Sequence, residues 1–481
     1  MRKIKVALIN PRGFDIKQYL PISLAYLKAN LDDEGFDVKI IDCSLWGINL
    51  LSQELKKELQ NFDPHILGVT AWSCVYKEAL AIIQLAKSIL PEVITIIGGP
   101  HATSYYNNVM ENKEIDFLFR GEAELSFPLF LKRMKENNSV YDIKGLVYRN
   151  KTGKLIANEP VMVDNLDVIK MPNYDDIDLD KYIENGYRYA HHSGRERVAP
   201  ILTTRGCPYR CQFCSAPQLT GKLVRKHSPE YVIRWIKHLY KKGIQHINII
   251  DDNFTFDVAY AKKICRGIIS LNLKDLSFGT PNGIRMQRGD AELWNLMKKA
   301  GWNTLVVAPE SGSQRMLKIM EKDLNLGIVP GIVNEIKKAR LGVVGFFIIG
   351  YPGETKQDLL CTRNFAVKTN FDFVVLHKFQ PLPGTPVFDA LIKKGEIQSD
   401  FLPADMATAN LGYLNPTLEG YNLQRFVLVT YMYMCFFRPK RIIYLLKQFG
   451  TTHILRGLKK MILHLKAKAF LRVQNTQSGI F

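Results

Sequence analysis

Eight cysteines are spread over 481 residues, and three of them, Cys207, Cys211 and Cys214, crowd into the segment TTRGCPYRCQFCSAP. Spacings of four and three put three thiols on one short loop directly after an apolar, strand-like run. Three thiolates can each hold one iron of a cuboidal cluster and leave the fourth iron open to another ligand. A structural zinc site instead wants four ligands in paired clusters. The nearest further candidate, His227, lies thirteen residues past Cys214, and no second CxxC occurs. Cys43, Cys74, Cys265, Cys361 and Cys435 are scattered and read as small core residues. This usage points to metal or redox chemistry in a reducing compartment rather than to a disulfide framework.

Other residues able to do chemistry fall at the ends of apolar runs. Asp251, Asp252 and Asn253 follow HINII, Arg285 follows PNGI, and Glu310 with Ser311 follow LVVAP. In a parallel α/β fold those ends form the ligand-binding face, although solvated strand-end charges are the bland alternative for each. IIGYPGET places Gly350 and Gly353 where the backbone can approach a ligand or simply make a tight turn, with Thr355 as the cap of a following helix. Upstream, GGPHAT sets Gly98, Gly99, His101 and Thr103 at another strand end, suited to a bulky planar or phosphate-bearing ligand.

The elements that must position these groups alternate in kind. KVALIN, DVKIID, ILGVT, VITIIGG and DFLF read as strands separated by amphipathic helices, which predicts a Rossmann-like, doubly wound parallel sheet over residues 1–135. A hairpin-like NKTGK turn and PNYDDIDLDKY break the rhythm, so residues 136–195 read as a linker. Six further strand-helix units predict a partial (β/α)6 barrel over 196–395, followed by a basic helical segment over 396–481. The fold class is therefore α/β. Apolar residues at 47% and charged ones at 23% exclude wholesale disorder. The start reads as no signal peptide and no run reaches a membrane span, so the expectation is a cytoplasmic protein, peripheral to a membrane at most.

Net charge is +19, and eleven Lys or Arg with no Asp or Glu lie between positions 421 and 481. Basic residues mixed with apolar ones at helical spacing suit a membrane surface, or equally a helical cap that closes the barrel. No nucleic-acid fold accompanies the charge, so no nucleic-acid partner is expected.

CxxxCxxC with an aromatic, Phe213, before its last cysteine resembles the signature of the radical S-adenosylmethionine superfamily. The resemblance implies a 4Fe-4S cluster on Cys207, Cys211 and Cys214 whose open iron chelates S-adenosylmethionine. An external one-electron reductant such as ferredoxin or flavodoxin then drives cleavage to a 5′-deoxyadenosyl radical. By the same analogy Asp251 and Asp252 meet the methionine amino group and Glu310 the ribose, and PLPGTPVF (381–388) lies near the active site. The glycine-glycine-acid triplet common after the second strand is absent.

GGPHAT, PISLAYLKANLDDEGFDVKIID and FRGEAE, upstream of the triad, resemble the cobalamin-binding domain of cobalamin-dependent radical enzymes. The resemblance spans residues 1–395 and implies cobalamin near Gly98, Gly99, His101 and Thr103. It lacks the Asp-x-His-x-x-Gly motif that puts a histidine on cobalt. The expected activity is modification, with methyl transfer favoured, of an unactivated carbon in a small hydrophobic or lipid-like substrate. Radical cyclisation or rearrangement, or a non-catalytic corrinoid or metal-binding module, are the alternatives.

Overall fold

The computed structural model describes residues 3–12, 20–31, 35–47, 53–172, 174–184, 197–403 and 413–437. The first sheet contains β1 (Ile4–Asn10), β2 (Phe36–Asp42), β3 (Ile66–Thr70), β4 (Ile94–Gly98), β5 (Phe117–Phe119), β6 (Leu146–Arg149) and β7 (Leu155–Ala157). Its strand order is β2-β1-β3-β4-β5-β6-β7; the first five run parallel and β6 and β7 antiparallel. β3 is buried at every position, as a central strand covered on both faces requires. Two apolar clusters, one on each face, make this a doubly wound sheet.

The NKTGK turn joins β6 to β7, so the hairpin extends the first sheet. Val163, Leu166, Ile169, Tyr174 and Tyr182, further along, are buried in the cluster that fills the second half of the protein. The described part of 136–195 therefore does more than connect: these apolar side chains cement the two halves. Tyr182 donates to Asp42 at the end of β2, and Tyr174 donates to the Pro200 carbonyl.

The second half opens with β8 (Val198–Ile201), then a two-stranded hairpin of β9 (Thr204–Arg205) and β10 (Arg225–Lys226). β11 (His246–Ile249), β12 (Ser277–Gly279), β13 (Thr304–Glu310), β14 (Gly342–Ile349) and β15 (Phe373–Lys378) follow, separated by helices. β8, β11 and β12 pair in parallel, as do β13, β14 and β15. Parallel bridges Phe278–Trp302 and Ile284–Val307 join the two triplets into one arc of six strands, the partial barrel expected. Helix ends obey local rules: Ser228 caps Pro229–Lys241, Asp290 caps Ala291–Ala300, and Gly301 closes the latter in the left-handed region. Thr355 and Asp358 form a capping box on Lys356–Lys368, as the Thr355 reading predicts.

The last described helix, Leu423–Phe437, packs Phe426, Thr430 and Met434 inward, and Phe373 stacks on Tyr431. Residues 438–481, which hold most of the basic tail, lie outside the described residues. No described helix is long and apolar enough to cross a membrane.

Four charged side chains lock the seam between the halves. Glu122, from FRGEAE, accepts from Arg225 on both oxygens at 2.7 Å and pairs with Arg205 at 3.3 Å. Glu124 accepts from Arg205 at 2.7 Å. Arg225 also donates to the carbonyls of Val163 and Thr220, and the Val163 amide donates to Glu122. All four side chains are about one-tenth exposed or less, and the arginines hold the Glu122 carboxyl below its ordinary range despite burial. Removing one partner of such a set strands the others as buried charges. Glu122→Ala is expected to cost about 3–5 kcal/mol in denaturant unfolding, whereas the exposed-pair control Glu292→Ala should leave the midpoint nearly unchanged.

Candidate active site

The cysteine loop is the connection of the β9–β10 hairpin, and backbone contacts fix it from three sides. The Cys207 amide donates to the Gly221 carbonyl, the Gln212 amide to the Met320 carbonyl, and the Val387 amide to the Gln212 carbonyl. Gly206 has φ +99°, and a Cβ there would lie 2.2 Å from the Leu223 carbonyl oxygen. Only glycine lets the chain turn into the loop so close to the opposite strand.

Arg285 supports the loop from below. Its guanidinium lies 3.3 Å from the Cys211 sulfur, donates to the Asp323 carbonyl at 3.0 Å, and stacks 3.4 Å from the Tyr209 ring centre. Burial first, then the neighbouring cysteines and Asp252, pushes the Cys214 thiol up to about 12 and the Cys207 thiol upward, so a bound metal would have to displace the protons. Among the described residues, no three His, Cys, Asp or Glu side chains converge on a point where one ion would sit. Three thiolates on one short loop, each able to take its own iron, suit a cuboidal cluster. Phe213 packs edge-on against Tyr351, in an aromatic group with Phe379 and Phe388 at the barrel rim.

The strand-end residues divide into two groups. Asp252 faces the cysteine loop, accepting from Thr220 at 2.6 Å and the Gly206 amide at 3.3 Å. Asp251 points inward instead: the Thr203 amide and hydroxyl and the Thr204 hydroxyl occupy its carboxylate at 2.5–2.9 Å, and burial pushes it up to about 6. It ties β8 to β11. Ser311 is fully buried and bonded to Thr362 and the Ser313 amide, away from any open space. Glu310 pairs with Lys322 at 2.9 Å and has φ +68°, where the β13–β14 register breaks. A non-glycine residue there stores about 1–3 kcal/mol of strain, a mark of a site that the surrounding fold over-determines.

Gly350, φ +79°, donates its amide to Glu354 at 2.5 Å. Burial pushes the Glu354 carboxyl up to about 8, and among the described residues its second oxygen has no partner. Asn415 and Thr417 reach back to the Glu354 carbonyl and hold this turn. Neither Glu354 nor Lys322 stands out in the sequence, since nothing local shows that a chain turn will bury them. Asn253 and Thr280 are also buried, and among the described residues their side-chain polar atoms have no partner. They lie just beyond the ends of β11 and β12.

A cavity of about 280 Å³ opens at the carboxyl ends of β1, β3 and β4. Gly98, Gly99 and Thr103 line it from the first sheet; Leu219, Thr220 and Asp252 line it from the barrel. Gly99 has φ +96°, and a Cβ there would press on the Ala71 backbone at 2.9 Å. Tyr26 and Glu124 also line the cavity, and one Glu124 oxygen has no partner among the described residues. The volume admits one arm of a cobalamin rather than the whole macrocycle. Apolar walls, glycine backbone and an unpartnered polar atom fit such a group.

His101 does not line that cavity. It is 2% exposed, bonds Ser73 at 3.0 Å and packs between Tyr76 and Tyr105, and burial lowers it to about 4. Aromatic neighbours, invisible in a loop sequence, drew it inward. Gly384 of PLPGTP closes the seam: a Cβ there would meet the Gln218 side chain at 2.4 Å and Ser104 at 3.0 Å. The expected proximity of this loop to the site therefore has a contact behind it.

Comparison with known proteins agrees with this geometry. The Radical SAM superfamily profile matches residues 201–366, and the B12 binding domain profile matches residues 17–131. An uncharacterized methyltransferase of Pyrococcus horikoshii is 34% identical over 404 residues, covering 82% of this chain and 84% of its own. The cytidylyl-2-hydroxyethylphosphonate methyltransferase of Streptomyces wedmorensis is 27% identical over 446 residues, covering 82% and 83%. The fold is similar to that of the radical S-adenosylmethionine methyltransferase TsrM from Kitasatospora setae, with a TM-score of 0.73, 17% identity, and 89% and 88% of the two chains covered.

Gly206→Ala is expected to cut reconstituted iron below about half of the unmodified level while far-ultraviolet dichroism stays unchanged, because the strain is confined to the loop. Glu354 gives a stability test. Its folded pKa of about 8 lies above the ordinary 4.5, so the stability it contributes is present at low pH and lost as pH rises through about 8. Urea unfolding at several pH values should show this fall, and Glu354→Gln should flatten it.

Proposed function

Since the chain belongs to the cobalamin-dependent radical S-adenosylmethionine enzymes, we propose that it transfers a methyl group to an unactivated carbon of a small hydrophobic or lipid-like substrate. One observation carries this reading: Thr220 and Asp252, beside the cysteine loop, share a cavity wall with Gly98, Gly99 and Thr103 of the first sheet. A methyl carrier whose arm enters that cavity would be held at the wall shared with the cysteine loop, and short-range transfer requires such proximity.

When bound, the cluster with S-adenosylmethionine supplies a carbon-centred radical, and cobalamin supplies an activated methyl group. The chain's own residues bind and orient. Cys207, Cys211 and Cys214 hold iron, and Arg285 keeps the Cys211 sulfur in register. Asn253, Thr280 and the Glu310–Lys322 pair offer polar groups for the methionine and ribose parts of the cosubstrate. Asp252 holds Thr220 and the Gly206 amide, so that loop and cavity wall keep one geometry. Phe213 packs onto the buried aromatic cluster of Tyr351, Phe379 and Phe388, and this apolar surrounding beside the cysteine loop supports a hydrophobic substrate. An external low-potential reductant is required.

The test is anaerobic reconstitution with iron, sulfide and cobalamin, followed by methyl-labelled S-adenosylmethionine and a strong one-electron reductant. Label on cobalamin together with 5′-deoxyadenosine is expected, and label in an organic-extractable product when lipid extracts are added. Formation of 5′-deoxyadenosine with no label moved to any acceptor would sink methyl transfer and favour cyclisation or rearrangement.

A further inference from the structure

The helix Leu423–Phe437 is apolar on the wrong side. Phe426, Thr430 and Met434 face inward, as a surface helix requires, and its outer face should then be polar. In its last two turns the outer face instead carries Met432 and Phe436, exposed at 60% and 81%, and Tyr433 and Phe437, at the spacing of the inward stripe, are exposed as well, at 43% and 58%. Tyr433 and Phe437 stack on each other, and Phe436 lies edge-on to Phe437, so the four form a patch rather than scattered residues. Single exposed apolar residues need no explanation; a contiguous aromatic patch does.

Charge says what covers it. The 44 residues that follow, 438–481, contain ten Lys or Arg and no Asp or Glu, mixed with Ile, Leu, Met and Phe. Arg363, on the neighbouring helix, sits 4.8 Å over the Tyr433 ring and adds a cation at the patch itself. Aromatic side chains beside cations match the boundary of an anionic bilayer, where rings lie at headgroup depth and each basic residue contributes about 1 kcal/mol. Nucleic acid would reward the charge but not Phe436, Met432 or the aliphatic residues of the tail.

We propose that the patch of Met432, Tyr433, Phe436 and Phe437 docks this protein on an anionic membrane surface, with the basic segment that follows supplying the attraction. The patch lies on the helix that packs against Lys356–Lys368 and against Phe373 of β15. The inference goes beyond the reaction proposed above and stands or falls independently of it.

Flotation of the reconstituted full-length protein with vesicles tests it. Recovery is expected with phosphatidylcholine vesicles containing about one third phosphatidylglycerol at ~0.1 M salt, with release at ~0.5 M. Pure phosphatidylcholine should recover little. Phe436→Ser combined with Phe437→Ser should weaken binding to anionic vesicles by about tenfold, with iron and cobalamin content unchanged. No recovery with anionic vesicles, equal recovery with neutral ones, or full recovery of the double variant overturns the proposal. So does light scattering in which the double variant turns a dimer into a monomer without changing flotation, which assigns the patch to a second copy. Binding of a mixed-sequence RNA in place of vesicles overturns it as well.

Discussion

The buried set of Glu122, Glu124, Arg205 and Arg225 is the interaction on which the rest depends. Arg205 and Arg225 are the two strands of the hairpin that carries the cysteine loop, and both carboxylates come from the turn after β5. One ionic knot thus fixes the cluster loop relative to the first sheet. Charges so fully buried contribute little net stability once desolvation is counted, but they tolerate no other register. An apolar seam could slide; this one cannot without stranding charge.

That constraint explains why the site is assembled from backbone as much as from side chains. Gly99, Gly206 and Gly384 stand where two elements approach closer than a methyl group allows. Arg285 and Asp252 then fill specific gaps beneath and beside the loop. The strained Glu310 and the buried Glu354 occupy the ends of β13 and β14, where the fold holds groups it would elsewhere expel.

Much of this was legible in the residues. The cysteine spacing, the six strand-helix units and the Thr355 cap depend on local pattern, and each has its counterpart in the fold. The seam was not legible, because FRGEAE and TTRG lie more than eighty positions apart and neither shows that it will be buried. Asp251 and His101 looked like site residues by position. A threonine pair and an aromatic sandwich, which only tertiary packing supplies, turned both inward. Val163, Tyr174 and Tyr182 sit in a stretch rich in Asp and Asn, so their burial in the barrel core was masked by polar neighbours.

Gly384 has a bearing on traffic through the site. With Ser104 on one side and Gln218 on the other, it leaves no slack at the corner where first sheet, cluster helix and the loop after β15 converge. A substrate cannot be admitted by prising that corner apart unless all three shift as one body. Among the described residues β8 and β15 are not paired with each other, so the arc can widen on that side without breaking a strand pair.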